Sequence, residues 1–401
     1  MKKAVKQAIS LGLLCSFSYL AVYIARNTLS AVSPSMIEKG VLNKQQIGNL
    51  SLIYFICYAA GQLINGIAGD RIKAKYMLTT GLMLGGISLL LFSNMTSSFF
   101  GYIAYGSVGF FLSMIYPPMA KTVSENIELT YVTRCSLGYT IASFFGSPFA
   151  GILAALIVWR WVFFTSSGIL CFMAISCFVL FTVFEHKGTI KYNKYVRERG
   201  EGIIYSAKVL IRNKILKFSF IVILTGVVRT SVVFWMPTYF NEHLGYSSEK
   251  SAFIFTVSTL IICFSAFVSV FVFECLKRNL NLTMFIFFCF SGLLFLLMFI
   301  VENSVFNVVL LIGAVMCSNA ADAMIWSYYC PSLRDTGLVS SATGFLDSLS
   351  YIGAALASKI FSTTVDNIGW NGLIIVWLCL MVTAIIISSF DMLRKKYICK
   401  Q

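Results

Sequence analysis

Residues 46–75 read QIGNLSLIYFICYAAGQLINGIAGDRIKAK. About 24 residues of nearly uncharged sequence end abruptly in Asp70-Arg71, and Lys73 and Lys75 follow at once. An apolar stretch of this length matches the roughly 30 Å hydrocarbon thickness of a bilayer at 1.5 Å per residue. A basic turn directly after it is the mark of a span that stops at the cytoplasmic face.

Composition extends that reading to the whole chain. Of 401 residues, 58% are hydrophobic and 12% charged, with a mean hydropathy of +0.83. A soluble domain carries about twice that charged fraction and could not cover so much Phe, Leu and Ile. Stretches near 20 residues recur at 9–31, 46–69, 76–94, 98–120, 136–158, 162–184, 216–239, 250–273, 282–301, 305–329, 338–361 and 371–392. The expected fold is therefore an all-α membrane protein of twelve transmembrane helices. Lys2, Lys3 and Lys6 precede an apolar run, as in a signal peptide. That run is longer than such a core and no small-residue cleavage site follows, so it is expected to be a retained first helix.

The net charge of +15 does not indicate nucleic acid, because Lys and Arg cluster between apolar runs and not along one aromatic-studded face. Placing both termini in the cytoplasm puts 24 of the 31 basic residues inside, against Lys39, Lys44, Arg160 and Lys250 outside. The expectation is a multi-pass protein of the cell (plasma or inner) membrane with both termini cytoplasmic. His186 and His243 lie between spans, and the 12 Cys are scattered singly. No metal site, disulfide framework, cofactor or catalytic residue is expected. The one long polar break, Glu185 to Lys217, suggests a six-helix bundle over 1–184, a cytoplasmic linker over 185–215 with some amphipathic helix, and a second bundle over 216–401.

The two halves are related. Arg26 and Pro34 recur as Arg229 and Pro237, both offset by 203, and Asp70 recurs as Glu274, offset by 204. Polar or helix-breaking positions in register amid apolar sequence point to a duplicated unit, as in transporters whose pseudo-symmetric bundles rock around a midplane site.

Arg26 and Arg229 lie deep in their spans, where a guanidinium is costly unless it faces protein or a water-filled cavity. One per half makes a site for an anion, whose oxygens the guanidinium fork matches. The alternative is a pair of structural arginines neutralised by Asp322 and Asp347, which also lie inside apolar spans. Those carboxylates could instead bind a substrate amine or hydroxyl, or exchange a proton. Tyr19, Tyr23 and Arg26 share one helix face; Arg229 precedes Trp235-Met236-Pro237.

Gly66-x-x-x-Asp70-Arg71 resembles the loop 2–3 signature of the major facilitator superfamily. Physically, Gly66 permits close helix approach, and Asp70 can accept from a helix N-terminus or a basic side chain. Gly66, Asp70 and Arg71 would then form a latch that breaks as the halves rock, with Glu274 as its weaker counterpart. The two arginines, the tyrosines, Tyr116-Pro117-Pro118 and GLVSSATGF at 337–345 resemble the organophosphate:phosphate antiporter family. That resemblance implies the major facilitator fold and a phosphoryl group held by Arg26 and Arg229. It also implies exchange of an organophosphate or phosphonate for inorganic phosphate. Where family members carry further cations, this chain has Asn27 and, at the position of a helix 2 Lys, Gln62. The site, with Tyr19, Tyr23, Gln62, Trp235, Asp322 and Asp347 around the arginines, is thus expected to hold less negative charge. Gly146-Ser147-Pro148 reads as a kink with close packing. The expected partners are a small organic anion and the bilayer, with the chain a monomer and no enzyme. Proton-coupled symport of a carboxylate or zwitterion, or a transporter-like sensor, are the competing readings.

Overall fold

A computed structural model describes residues 2–95, 97–192, 203–246, 248–301 and 303–398, of which some helical positions have no described side chain. The elements are α1 (Lys2–Glu38), α2 (Lys44–Gly69), α3 (Ala74–Ser93), α4 (Ser98–Leu112), α5 (Tyr116–Asn126), α6 (Leu129–Leu156), α7 (Trp159–His186), α8 (Ile203–Arg212), α9 (Ile215–Thr238), α10 (Ser248–Cys263), α11 (Ser265–Cys275), α12 (Leu280–Leu297), α13 (Ser304–Met324), the single turn α14 (Cys330–Ser332) and α15 (Val339–Ile398). The described residues contain no strand.

All twelve expected spans are helical. Ten helices among the described residues are long and apolar enough to cross a membrane; 216–239 and 338–361 are helical but include side chains outside the described residues. The boundaries follow local chemistry. Asn43 and Gln46 cap the start of α2 reciprocally. The span 98–120 divides into α4 and α5 because Pro117 and Pro118 occupy the first turn of α5, where a missing N–H needs no acceptor. The span 250–273 divides at Phe264. The last two spans run together as α15 and separate at Gly369, whose φ of 68° few residues other than glycine adopt. The amphipathic helix expected in the linker is α8, with Tyr205 and Ile211 exposed and Leu210 buried.

The chain divides into two compact units, 1–213 with 330–348, and 214–329 with 349–401. In the first, α1 packs on α6 and α7, α2 on α4, and α3 on α7. Gly146 makes the α1–α6 contact close: a Cβ there would meet the backbone carbon of Tyr23 at 2.7 Å. The packing glycine read before Pro148 thus seats the helix turn that carries Tyr23 and Arg26. In the second unit, α13 packs on α9, α11 and α12.

Segment 330–348 belongs with the first unit because its backbone meets α2 directly. A Cβ on Gly66 would lie 2.9 Å from the Ser340 carbonyl and 3.0 Å from the Gly344 Cα, and one on Gly344 would collide with the Gln62 carbonyl. Glycines on both helices bring the two backbones into contact, the use of small residues that substitutes for hydrophobic drive within a membrane.

Candidate functional site

On α1, Arg26 is half-buried and enclosed by aromatic rings from two helices. Its guanidinium carbon lies 5.1 Å from the Tyr23 ring centroid, 5.3 Å from Phe55 and 5.5 Å from Tyr58, and Nη1 donates to the Tyr23 hydroxyl at 3.5 Å. Ring faces carry negative quadrupole density, so they hold a cation without neutralising it. Tyr105 donates from its hydroxyl to the Arg26 carbonyl at 3.5 Å. Tyr19, two turns back along α1, stacks on Tyr116 at 5.3 Å and meets Tyr139 edge-on at 6.1 Å.

Gln62 lies one turn beyond Tyr58 on α2 and is fully buried. Neither its amide nitrogen nor its amide oxygen has a hydrogen-bond partner among the described residues. Burying such a group unpaired costs about 1–3 kcal/mol.

In the second unit, Arg229 on α9 pairs with Asp322 on α13. Nη1 lies 3.4 Å from Oδ2, and Nη2 donates to the Ser350 hydroxyl at 3.4 Å. The Asp322 carboxylate also accepts from Thr225 at 2.7 Å and from the Trp326 indole at 3.0 Å. Of the roles open to Asp322 from sequence, this geometry supplies counter-ion to Arg229. Trp235, expected from sequence at the site, lies on α9 with its side chain outside the described residues; the side chains of Pro34 on α1 and Pro237 on α9 are also outside them. Asp347, on α15, is buried within the first unit.

Asp70, at the C-terminal end of α2, caps α15. Its two carboxylate oxygens accept from the backbone N–H of Ser340 at 3.0 Å and of Ser341 at 2.9 Å, first-turn donors that have no intrahelical partner. Lys121 on α5 stands 3.8 Å from the same carboxylate and donates to the Asp70 carbonyl at 2.9 Å. Burial pushes the Asp70 carboxyl above the ordinary carboxylate range, opposed by the Ser341 bonds and the Lys121 charge. Arg71, read as part of the same motif, is exposed and makes no ion pair among the described residues. Glu274 pairs with Arg278 four residues on at 3.7 Å, both about 40% exposed. The cap and the second-half turn therefore differ in kind: one is buried and reaches across 270 residues, the other is local and solvated.

Residues 15–358 match the Major Facilitator Superfamily. The chain belongs to that superfamily. The superfamily's members are transporters, and this one is an integral, multi-pass membrane protein.

Among its relatives, the glycerol-3-phosphate transporter of Bacillus subtilis (strain 168) is 25% identical over 257 residues, covering 58% of this chain and 57% of the relative. This chain thus spans little more than half of that transporter. A probable hexose phosphate transport protein of Chlamydia muridarum is 22% identical over 92% of this chain and 88% of its own length. The superfamily transporter FucP, crystallised in an outward conformation, matches the fold with a TM-score of 0.75 at 14% identity, over 95% of this chain and 98% of its own.

Several residues at these sites carry no sequence signal. Phe55, Tyr105 and Tyr139 are apolar-face aromatics like many others, and Thr225, Ser350 and Lys121 gain meaning only from partners that are between 51 and 121 residues away. A periodicity reading of α2 would place Tyr54, Tyr58 and Gln62 on one stripe, and that was the signal available.

Proposed function

We propose that this superfamily member is a secondary transporter exchanging a small phosphate ester or phosphonate for inorganic phosphate. The observation that carries the reading is Arg26: a guanidinium deep in a transmembrane helix, half-buried against the ring faces of Tyr23, Phe55 and Tyr58. An arginine in lipid surroundings is costly, and the ring contacts orient its donors, whose fork matches a phosphoryl group. Arg229 occupies the corresponding position of the second half. There Asp322 fixes its orientation and offsets its charge, so that position carries less net positive charge than an arginine alone. An arginine so neutralised suits a substrate with modest negative charge. Relatives named for glycerol phosphate and hexose phosphate transport support the phosphoryl chemistry.

In this reading Asp70, Gly66 and the first turn of α15 act as the conformational latch, and Lys121 joins them in place of Arg71. The 24 basic residues assigned inside support cytoplasmic termini and a cell-membrane location, and a monomer suffices for the mechanism. The engagement of Asp322 with Arg229 leaves proton-coupled symport resting on Asp347.

The experiment is counterflow in proteoliposomes. Vesicles loaded with inorganic phosphate should accumulate labelled phosphate, and external glycerol 3-phosphate, hexose 6-phosphate or small phosphonates should compete, with no requirement for a pH gradient. Absence of phosphate exchange would remove the proposal.

A further inference from the structure

The polar break between the two sets of spans ends in α8, ten residues from Ile203 to Arg212, and only Asn213 and Lys214 separate it from α9. Lys214 has a φ of 66°, the left-handed conformation that closes a helix. The two helices are therefore joined at a corner and do not form one rod. The sequence of α9 is that of a membrane span, and Leu216 and Phe220 in its first turns are 51% and 61% exposed, which places hydrocarbon around them. The chain thus leaves α8 where the bilayer begins.

Tyr205, Lys208, Ile211 and Arg212 follow one another at helical spacing along one side of α8, and all four are exposed. Leu210, on the opposite side, is buried. Leu210 supplies the contact that seats α8 on the protein, so Tyr205 and Ile211 are a second apolar surface, and two cations rise between them. Neither Lys208 nor Arg212 forms an ion pair among the described residues. The segment from Glu185 to Lys217 holds nine basic residues against three acidic ones, so nothing in its composition offsets that charge.

We propose that α8 is a membrane-surface helix that binds the anionic headgroups of the bilayer. Ile211 and the Tyr205 ring enter the boundary between headgroups and acyl chains, and the long stems of Lys208 and Arg212 lie beside them and carry their charges up to the lipid phosphates. A soluble acidic partner would suit the cations alone. The apolar pair, and a corner that opens directly into a span, favour lipid. Each basic residue at an anionic surface strengthens attachment by about fivefold at low salt, so lipid charge sets how firmly the end of the linker is held. This surface is separate from the arginine positions and does not depend on what is transported.

The test is hydrogen–deuterium exchange of the full chain in lipid nanodiscs of two compositions, pure phosphatidylcholine and a mixture rich in phosphatidylglycerol. Backbone amides of 205–212 should exchange about tenfold or more slowly in the anionic discs, and high salt should erase most of the difference by screening. Lys208→Gln with Arg212→Gln should abolish it, and Ile211→Ser should reduce it. Exchange of α3, far from these substitutions in sequence, reports whether each variant is folded. Equal exchange in the two discs makes α8 a solvated linker and overturns the proposal. A difference that survives in the double variant overturns the assignment to Lys208 and Arg212. Protection in neutral discs on adding soluble glycerol 3-phosphate overturns the choice of a lipid surface.

Discussion

Arg229 and Asp322 form an ion pair at 3.4 Å across 93 residues of sequence, and Thr225 and Trp326 complete the hydrogen bonding of the carboxylate. The arginine is 38% exposed at its side chain and the aspartate 7%. The pair is therefore open on the cation side and sealed on the anion side. That asymmetry suits a guanidinium held in place by its counter-ion while still offering donors outward.

Removing Asp322 strands a partly buried cation, whereas removing both partners does not. Asp322→Ala should lower the melting temperature in detergent, and adding Arg229→Ala should restore part of the loss. Thermal denaturation of the two single variants and the double variant measures the coupling. Simple additivity would show that the pair contributes nothing to stability.

Arg26→Lys replaces a planar fork with a point charge. Loss of bidentate geometry should cut phosphate exchange by about 10- to 100-fold or more, measured as initial counterflow rate. Tyr23→Phe removes one hydroxyl acceptor and keeps the ring face, so its effect should be only a few-fold. Full activity in Arg26→Lys would show that the fork does not bind substrate.

Gln62 should trade stability against transport. Gln62→Met fills similar volume and removes buried polar atoms that lack partners, a change worth on the order of 1 kcal/mol in favour of the folded state. The melting point should hold or rise while exchange falls. Retained transport with a raised melting point would show that the amide serves no ligand.

Gly344→Ala drives a Cβ into the backbone carbonyl of Gln62, which cannot rotate away. The expected result is displacement of the α2–α15 seam, loss of the Asp70 cap and a large fall in expression or melting temperature. Asp70→Asn keeps one acceptor for the N–H groups of Ser340 and Ser341 and should be milder than Asp70→Ala, by about 1 kcal/mol. Thermal shift on the three variants checks the order.

Periodicity made part of the site legible. Tyr19, Tyr23 and Arg26 share a face because a helix repeats every 3.6 residues, and Asp70 was readable as an acceptor because it ends a span. Lys121 was not readable: a basic residue beyond a span looks like a topology signal until α5 carries it to within 3.8 Å of Asp70. Arg71, the neighbour that sequence favoured, faces out.

The sequence by itself determined that this chain lives in a bilayer, that its apolar stretches are helices, and that each half carries one deep arginine. Those are matters of length, composition and period, which each segment expresses alone. Tertiary structure decided which charges meet. Asp322 could have been counter-ion, substrate ligand or proton carrier, and the packing of α9 on α13 brought it to Arg229. Asp347 had the same choices, and the glycine contacts of α15 with α2 buried it in the first unit, apart from the Arg229 pair. The energy of a buried charge depends on what stands within a few ångströms, and such neighbours come from segments whose spacing in sequence carries no trace of the contact.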